Sequence, residues 1–229
     1  MANVAFDAVS QVIGTDNDFT HTPVGTPTLA VVTCYRSKGA GDSEVTGITY
    51  GGQAMTLHAY LSSAGDTAHN ASTGGGAMVV EVWYLEGPPS GAQTVAVTLT
   101  GTNDGRELYV CTTYTGDVDS TTPLGTSATD YDATVTNTSC SAGPVTSESG
   151  GLCFDATYTQ VVEDHTPDSP QVQRYEGSDS TNHRALVSTE AGAASVTMGW
   201  SWTTSTRFVT IVTPINLAPS GPTAGGNPT

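Results

Sequence analysis

Basic residues are scarce in this chain. Lys38, Arg36, Arg106, Arg174, Arg184 and Arg207 are the only ones among 229 residues, against 22 acids, giving a formal net charge of −16. Such a surface repels phosphate backbones and anionic lipid headgroups, so neither nucleic acid nor a membrane is an expected partner. It suits a solvated exterior that keeps a crowded or repetitive assembly soluble. Long apolar runs are missing too, since no stretch reaches the roughly 18 residues that a membrane-spanning helix needs. The opening MANVAFDAVSQ has neither a basic segment nor a continuous apolar one, so it does not read as a secretory signal, and synthesis in the cytoplasm is expected.

Cysteine is sparse. Cys34, Cys111, Cys140 and Cys153 form no CxxC or CxH spacing, which excludes the usual structural zinc patterns. Cys34, Cys111 and Cys153 lie in strand-like runs, where a thiol acts as a small buried hydrophobe. Reduced thiols are expected there, with a disulfide open to a particle maturing in an oxidising medium. No segment has helical periodicity, and no internal repeat of fixed period suggests a solenoid or propeller.

What remains is alternation. Residues 45–119 read VTGITYGGQAMTLHAY, AMVVEVWYLEGPPSG, AQTVAVTLTG and RELYVCTTYTGDVD, with apolar residues at every second place. Successive strand side chains point to opposite faces, so this spacing describes two-faced sheets. Gly51-Gly52, the 87–91 GPPSG and the 101–105 GTNDG supply residues that tolerate positive φ or preset a bend. The fold expected is an all-β antiparallel sandwich of about twelve strands, jelly-roll or concanavalin-like, in one domain over residues 1–216.

Strands are expected at 3–10, 28–36, 152–159, 183–189, 194–203 and 207–215, besides those in 45–119. Residues 65–76 and 163–177 read as loops, and 121–142 as a polar Thr/Ser/Asp stretch. From Leu217 the chain becomes LAPSGPTAGGNPT, where proline removes backbone donors and glycine adds freedom. Residues 217–229 read either as a disordered terminus or, the reading preferred here, as an extended arm that orders across a neighbouring subunit, with Leu217, Pro219, Pro222 and Pro228 as its anchors.

Several of these elements carry a resemblance. Val45, Ile48, Tyr50, Gly51, Gly52, Met55 and Thr56 are followed by Val80, Glu81, Trp83, Tyr84, Leu85, Pro88 and Gly91. Val95, Val97 and Gly101 then precede Tyr114, Gly116, Asp117, Val118, Asp119 and Pro123, and later Gly150, Leu152, Asp155 and 208–213. Over about three quarters of its length the chain resembles a β-sandwich module found in bacterial surface proteins and in structural proteins of tailed phages. It departs at Gly52 and in the enlarged 130–141 segment. The resemblance implies a virion-surface capsid decoration, or cement, protein, self-associating as a homotrimer and contacting the major capsid protein or other virion subunits. The alternative it leaves open is a glycan-binding or adhesive module of a tail fibre or cell surface.

Catalysis finds little support. A nucleophilic triad needs Ser or Cys placed by His and an acid, and His21, His69, His165 and His183 lie in polar, loop-like sequence, with His58 after a strand. No G-x-S-x-G elbow is present. Glu81 and Asp155 are the acids most embedded in strand patterns, where a solvated face is the commoner setting; a glycosidase would need them about 5–10 Å apart across a groove. No catalytic, cofactor or metal residue is assigned. Asp16/Asp18, Asp117/Asp119 and Asp130/Asp132 are acidic pairs that suit turn capping better than calcium. Trp83, Trp200 and Trp202 are candidate interface or glycan-stacking aromatics, and Met198, Trp200 and Trp202 share one strand face, as an inward or interface surface would.

Overall fold

A strand with one covered face alternates apolar and polar residues, whereas a strand covered on both faces is apolar throughout. In the computed structural model, which describes residues 2–14, 16–38, 44–69, 77–101, 105–179 and 182–219, that difference sorts the strands into three antiparallel sheets. The first half of the chain makes two of them. β1 (Ala5–Ile13), β3 (Leu29–Lys38), β6 (Thr56–Ser62), β7 (Ala77–Glu86) and β9 (Leu108–Thr115) form the middle sheet in the order β1-β9-β3-β7-β6. β2 (Asp18–His21), β4 (Glu44–Tyr50), β5 (Gln53–Ala54) and β8 (Gln93–Thr100) form an outer sheet, ordered β2-β8-β4-β5. The second half supplies the other outer sheet from β10 (Ala128–Val145), β11 (Leu152–Thr159), β12 (Thr166–Pro167), β13 (Val172–Ser178), β14 (Arg184–Ala191) and β15 (Val196–Ile215). Its order is β10-β15-β11-β14-β13, with β12 paired to β15. No helix occurs among the described residues.

β3 shows how the layers are held. Leu29, Val31 and Tyr35 enter the main core with Phe154, Ala156, Tyr158, Val187, Val209 and Ile211 of the second-half sheet. The intervening Ala30, Val32 and Cys34 enter a second core with Val45, Ile48, Tyr50, Val95 and Val97 of the smaller sheet. Each fully buried Val, Leu, Ile or Phe among them contributes roughly 1.5–3 kcal/mol of hydrophobic stabilisation. The expected sandwich is thus present as the middle and second-half sheets, and a third sheet covers the middle one's other face.

β15 also folds back on itself. Met198 and Val212 stand fourteen positions apart on this strand, about 46 Å if it were straight, since a strand rises roughly 3.3 Å per residue. Yet both lie in one small cluster with Ala142, Val145, Cys153 and Val196. The partner strand bends in step, with register breaks between Asp132 and Ser139. Two carboxylates hold the bend. Asp132 accepts from the Thr134 and Thr136 amides and hydroxyls and from Asn137 Nδ2. Glu163 accepts from the amides and hydroxyls of Thr203 and Thr204.

Among the described residues fifteen strands replace the roughly twelve expected, for a physical reason. β10 falls in the stretch read as polar, and β12 and β13 in the 163–177 loop. β10 and β13 are sheet edges, and seven successive residues of β10, from 133 to 139, are exposed. An exposed edge imposes no apolar alternation, so hydrophobic periodicity cannot reveal it. Residues 194–203 and 207–215, read as two strands, are one continuous β15, and His58 lies within β6 rather than after it. Residues 70–76 of the expected 65–76 loop lie outside the described residues.

Candidate functional site

The two strand-embedded acids are not on solvated faces. Glu81 and Asp155 are both fully buried. Glu81 follows the parity of Trp83, on the side of the middle sheet that meets the smaller sheet. It pairs with the buried Arg36 guanidinium and accepts from Trp83 Nε1 at 2.9 Å, with His69 Nε2 at 3.5 Å. Burial alone would raise its pKa, but His69, Arg36 and Trp83 together hold it below the usual carboxylate value. Asp155 alternates with Phe154 and Ala156 and so lies on the far face of the second-half sheet. Its Oδ1 accepts from the Ser188 amide and hydroxyl, and its Oδ2 from Trp200 Nε1. Burial lifts its pKa to about 6 despite those bonds. The main core and the thickness of two sheets separate the acids. Stacked sheets lie roughly 10 Å apart, so the two cannot flank one glycosidic bond.

The histidines are less exposed than their polar surroundings suggest. His21, His165 and His183 are buried. His21 bonds Ser10 Oγ and Thr113 Oγ1, both at 3.1 Å, and burial pulls its pKa down to about 4. His58 Nε2 lies 3.1 Å from Ser127 Oγ, which contacts Thr213 Oγ1 at 2.8 Å. His183 Nδ1 lies 2.8 Å from Asp179 Oδ2. A Ser–His pair and a His–Asp pair are therefore both present, but no described residue joins them into a triad. His58 and His69 share the wall of a cavity of about 280 Å³ with Leu57, Tyr60, Thr67 and Thr129. Among the described residues no group of three or more His, Cys, Asp or Glu gathers in metal-binding geometry.

All three tryptophans belong to the interior. Trp200 is 0% exposed, Trp83 6% and Trp202 7%. Trp202 packs on Phe208 and His165 and donates from Nε1 to the Asn137 carbonyl at 3.1 Å. None presents a ring face on which a sugar could stack. Two of the acidic pairs accept from backbone amides, Asp119 in a loop that it caps and Asp130 from within β10. Asp119 accepts from the amides of Thr121 and Thr122 and from the Thr122 hydroxyl, which holds its pKa low. Asp130 accepts from the amides of Tyr131 and Ser141.

The two chain ends meet at one pole. Ala2 N donates to Asp117 Oδ2 at 2.6 Å, and Asp117 N returns a bond to the Ala2 carbonyl at 3.1 Å. The Asp117 carbonyl accepts from Ala218 N at 2.8 Å, and Val118 forms an isolated bridge with Leu217. Two glycines permit this approach. A Cβ on Gly116, whose φ is +101°, would run into the Asn3 carbonyl, and one on Gly150 would stand 2.8 Å from Asn3 Oδ1 and 3.3 Å from Leu217 Cδ1. Leu217 packs against the main core, so the arm begins on its own body. Pro219 is the last arm anchor described; Pro222 and Pro228 lie outside the described residues. Beside this junction is a cleft of about 350 Å³ lined by Asp119, Thr146, Ser147, Glu148, Asn216, Leu217 and Pro219. Proline and glycine content marks residues 217–229 as an expected arm; nothing in the sequence points to Leu217 and Ala218 meeting the first residues beside Asp117.

No protein-family model matches the chain, and no curated protein or solved structure shows significant similarity to it.

Proposed function

We propose that this chain is a structural protein of a virion surface, a capsid decoration subunit that self-associates, as a homotrimer, and stabilises the lattice through non-covalent contacts. The convergence of both chain ends on Asp117 carries this reading. It gives the body one pole from which residues 220–229 can reach a neighbour, at up to about 3.3 Å per residue and so roughly 30 Å in all. Contacts of that kind are individually modest, and repetition around a lattice multiplies them. The chemistry of the interior agrees. Glu81, Asp155, the three tryptophans and most histidines are engaged in internal hydrogen bonds and packing, and the acidic exterior favours solubility at high local concentration. A glycan-binding reading would need an aromatic platform, and the tryptophan rings are buried.

The test is co-sedimentation of the purified chain with capsid shells that lack it, alongside native mass spectrometry. Binding by a trimer, lost when residues 220–229 are removed while the thermal midpoint holds, supports the proposal. A monomer that ignores every shell overturns it.

A further inference from the structure

We propose that Ser188 and Gln171 become joined by an intramolecular ester, formed without a partner when the Ser188 hydroxyl displaces ammonia from the Gln171 carboxamide with Asp155 as base. The inference is independent of the decoration reading. Acyl transfer needs a nucleophile, a base, a carbonyl and a donor for the developing oxyanion, and all four meet on the far face of the second-half sheet. Asp155 and Ser188 stand directly opposite each other on β11 and β14, and Ser188 Oγ donates to Asp155 Oδ1 at 2.9 Å. Gln171, just before β13, donates from Nε2 to the same Ser188 Oγ at 2.7 Å. Its Oε1 accepts from the Gly199 amide at 2.6 Å. A short turn presents it there, with Gln171 N bonded to the Asp168 carbonyl at 2.9 Å and Asp168 N to the Gly199 carbonyl at 3.0 Å.

The Gln171 carbonyl carbon is one bond beyond Nε2, so it lies within about 4 Å of Ser188 Oγ. Rotation of the carboxamide brings it to the roughly 3–3.5 Å of an attacking pair. Asp155 and Ser188 are fully buried beneath the folded-back half of β15, and Trp200 Nε1 holds the second Asp155 oxygen. With a pKa of about 6, Asp155 is ionised at neutral pH and still basic enough to take a proton. As Ser188 Oγ bonds to the Gln171 carbon, its proton passes to Asp155 and the carbonyl electron pair moves onto Oε1, facing the Gly199 amide. On collapse the carbon–nitrogen bond breaks, and the nitrogen leaves as ammonia with the proton returned by Asp155. Nothing is oxidised or reduced. Gln171 is partly exposed, which gives ammonia a way out, while burial of Ser188 shields the ester from hydrolysis.

The test is intact mass spectrometry of the full-length protein after prolonged incubation at neutral pH, followed by tryptic mapping of the denatured chain. The expected mass is about 17 Da below that of the sequence, the ammonia lost. Trypsin cuts after Arg106, Arg174, Arg184 and Arg207, so residues 107–174 and 185–207 should emerge as one linked species that hydroxylamine separates. Ser188→Ala and Asp155→Asn should show the full mass and two separate peptides. Ser141→Ala, at an exposed site on β10, should keep the link. Gln171→Met, at a partly exposed position, reads the same bond should Ser188→Ala fail to fold. Full mass in the wild type, ammonia lost from an asparagine instead, or a link that persists in Asp155→Asn or Gln171→Met overturns the proposal.

Discussion

Trp200 donates its indole N–H to Asp155 from a strand segment that has doubled back over the far face of its own sheet. The bond ties the bent half of β15 to β11, and it makes Asp155 an ionisable group that the fold has wholly removed from water. Its folded pKa, about 6, lies above the ordinary 3.8. The folded state therefore holds this proton more tightly than the unfolded chain does. The carboxylate subtracts from stability above about pH 6, and that penalty shrinks as pH falls toward 4. Urea unfolding should show wild type gaining on Asp155→Asn by about 2 kcal/mol between pH 7 and pH 4. A constant difference across that range would contradict the assignment.

Arg36 and Glu81 behave with the opposite sign. Glu81 has a lowered pKa, so its stabilising contribution is present above the ordinary carboxylate range and is lost as pH falls through the folded value. Glu81→Gln keeps an acceptor for Trp83 but removes the carboxylate that pairs with the buried guanidinium. The expected loss is about 3–5 kcal/mol, and replacing Arg36 by Met as well should recover part of it. The double-mutant cycle, measured by chemical unfolding, reads the coupling.

Gly116→Ala should open the junction of the chain ends. Gly116 has a left-handed φ, and an added Cβ meets backbone that cannot rotate away. A loss of about 1–3 kcal/mol is expected, seen as a lower thermal midpoint and faster amide exchange at residues 2–4 and 217–218. Gly47→Ala serves as the control, because its Cβ would meet nothing within 4 Å.

Thiol chemistry gives a simple check on the interior. Cys34, Cys111, Cys140 and Cys153 are all free and buried, and burial raises the pKa of each, that of Cys153 to about 11. The native protein should consume almost no Ellman's reagent at mild alkaline pH, and the denatured chain should consume four equivalents. Rapid native labelling would mean that the layers open.

The sequence was most informative where burial was one-sided or two-sided. β3, β7 and β9 announced themselves through apolar runs, because both faces of the middle sheet are covered. The same pattern could not say which of two covering sheets each residue meets. Nor could it separate Glu81 from a solvated acid, since the pairing with Arg36 comes from a strand 45 residues away. β10 was illegible because Thr, Ser and Asn on an exposed edge carry no periodic signal. The fold-back of β15 was half legible. Alternation places Met198, Trp200 and Trp202 on one face, but the partners they cover, Leu186, Phe208 and Val212, depend on a bend set by Asp132 and Glu163. Asp117 carries only a turn signal in the sequence, because its bonds to Ala2 and Ala218 join segments about a hundred residues apart.

Assembly is tested most directly by electron cryomicroscopy of shells incubated with the purified chain. Under the proposed decoration role, trimeric density is expected on the shell exterior, with the pole bearing Ala2, Asp117 and Leu217 turned toward the capsid. Bare shells beside free monomers would contradict it.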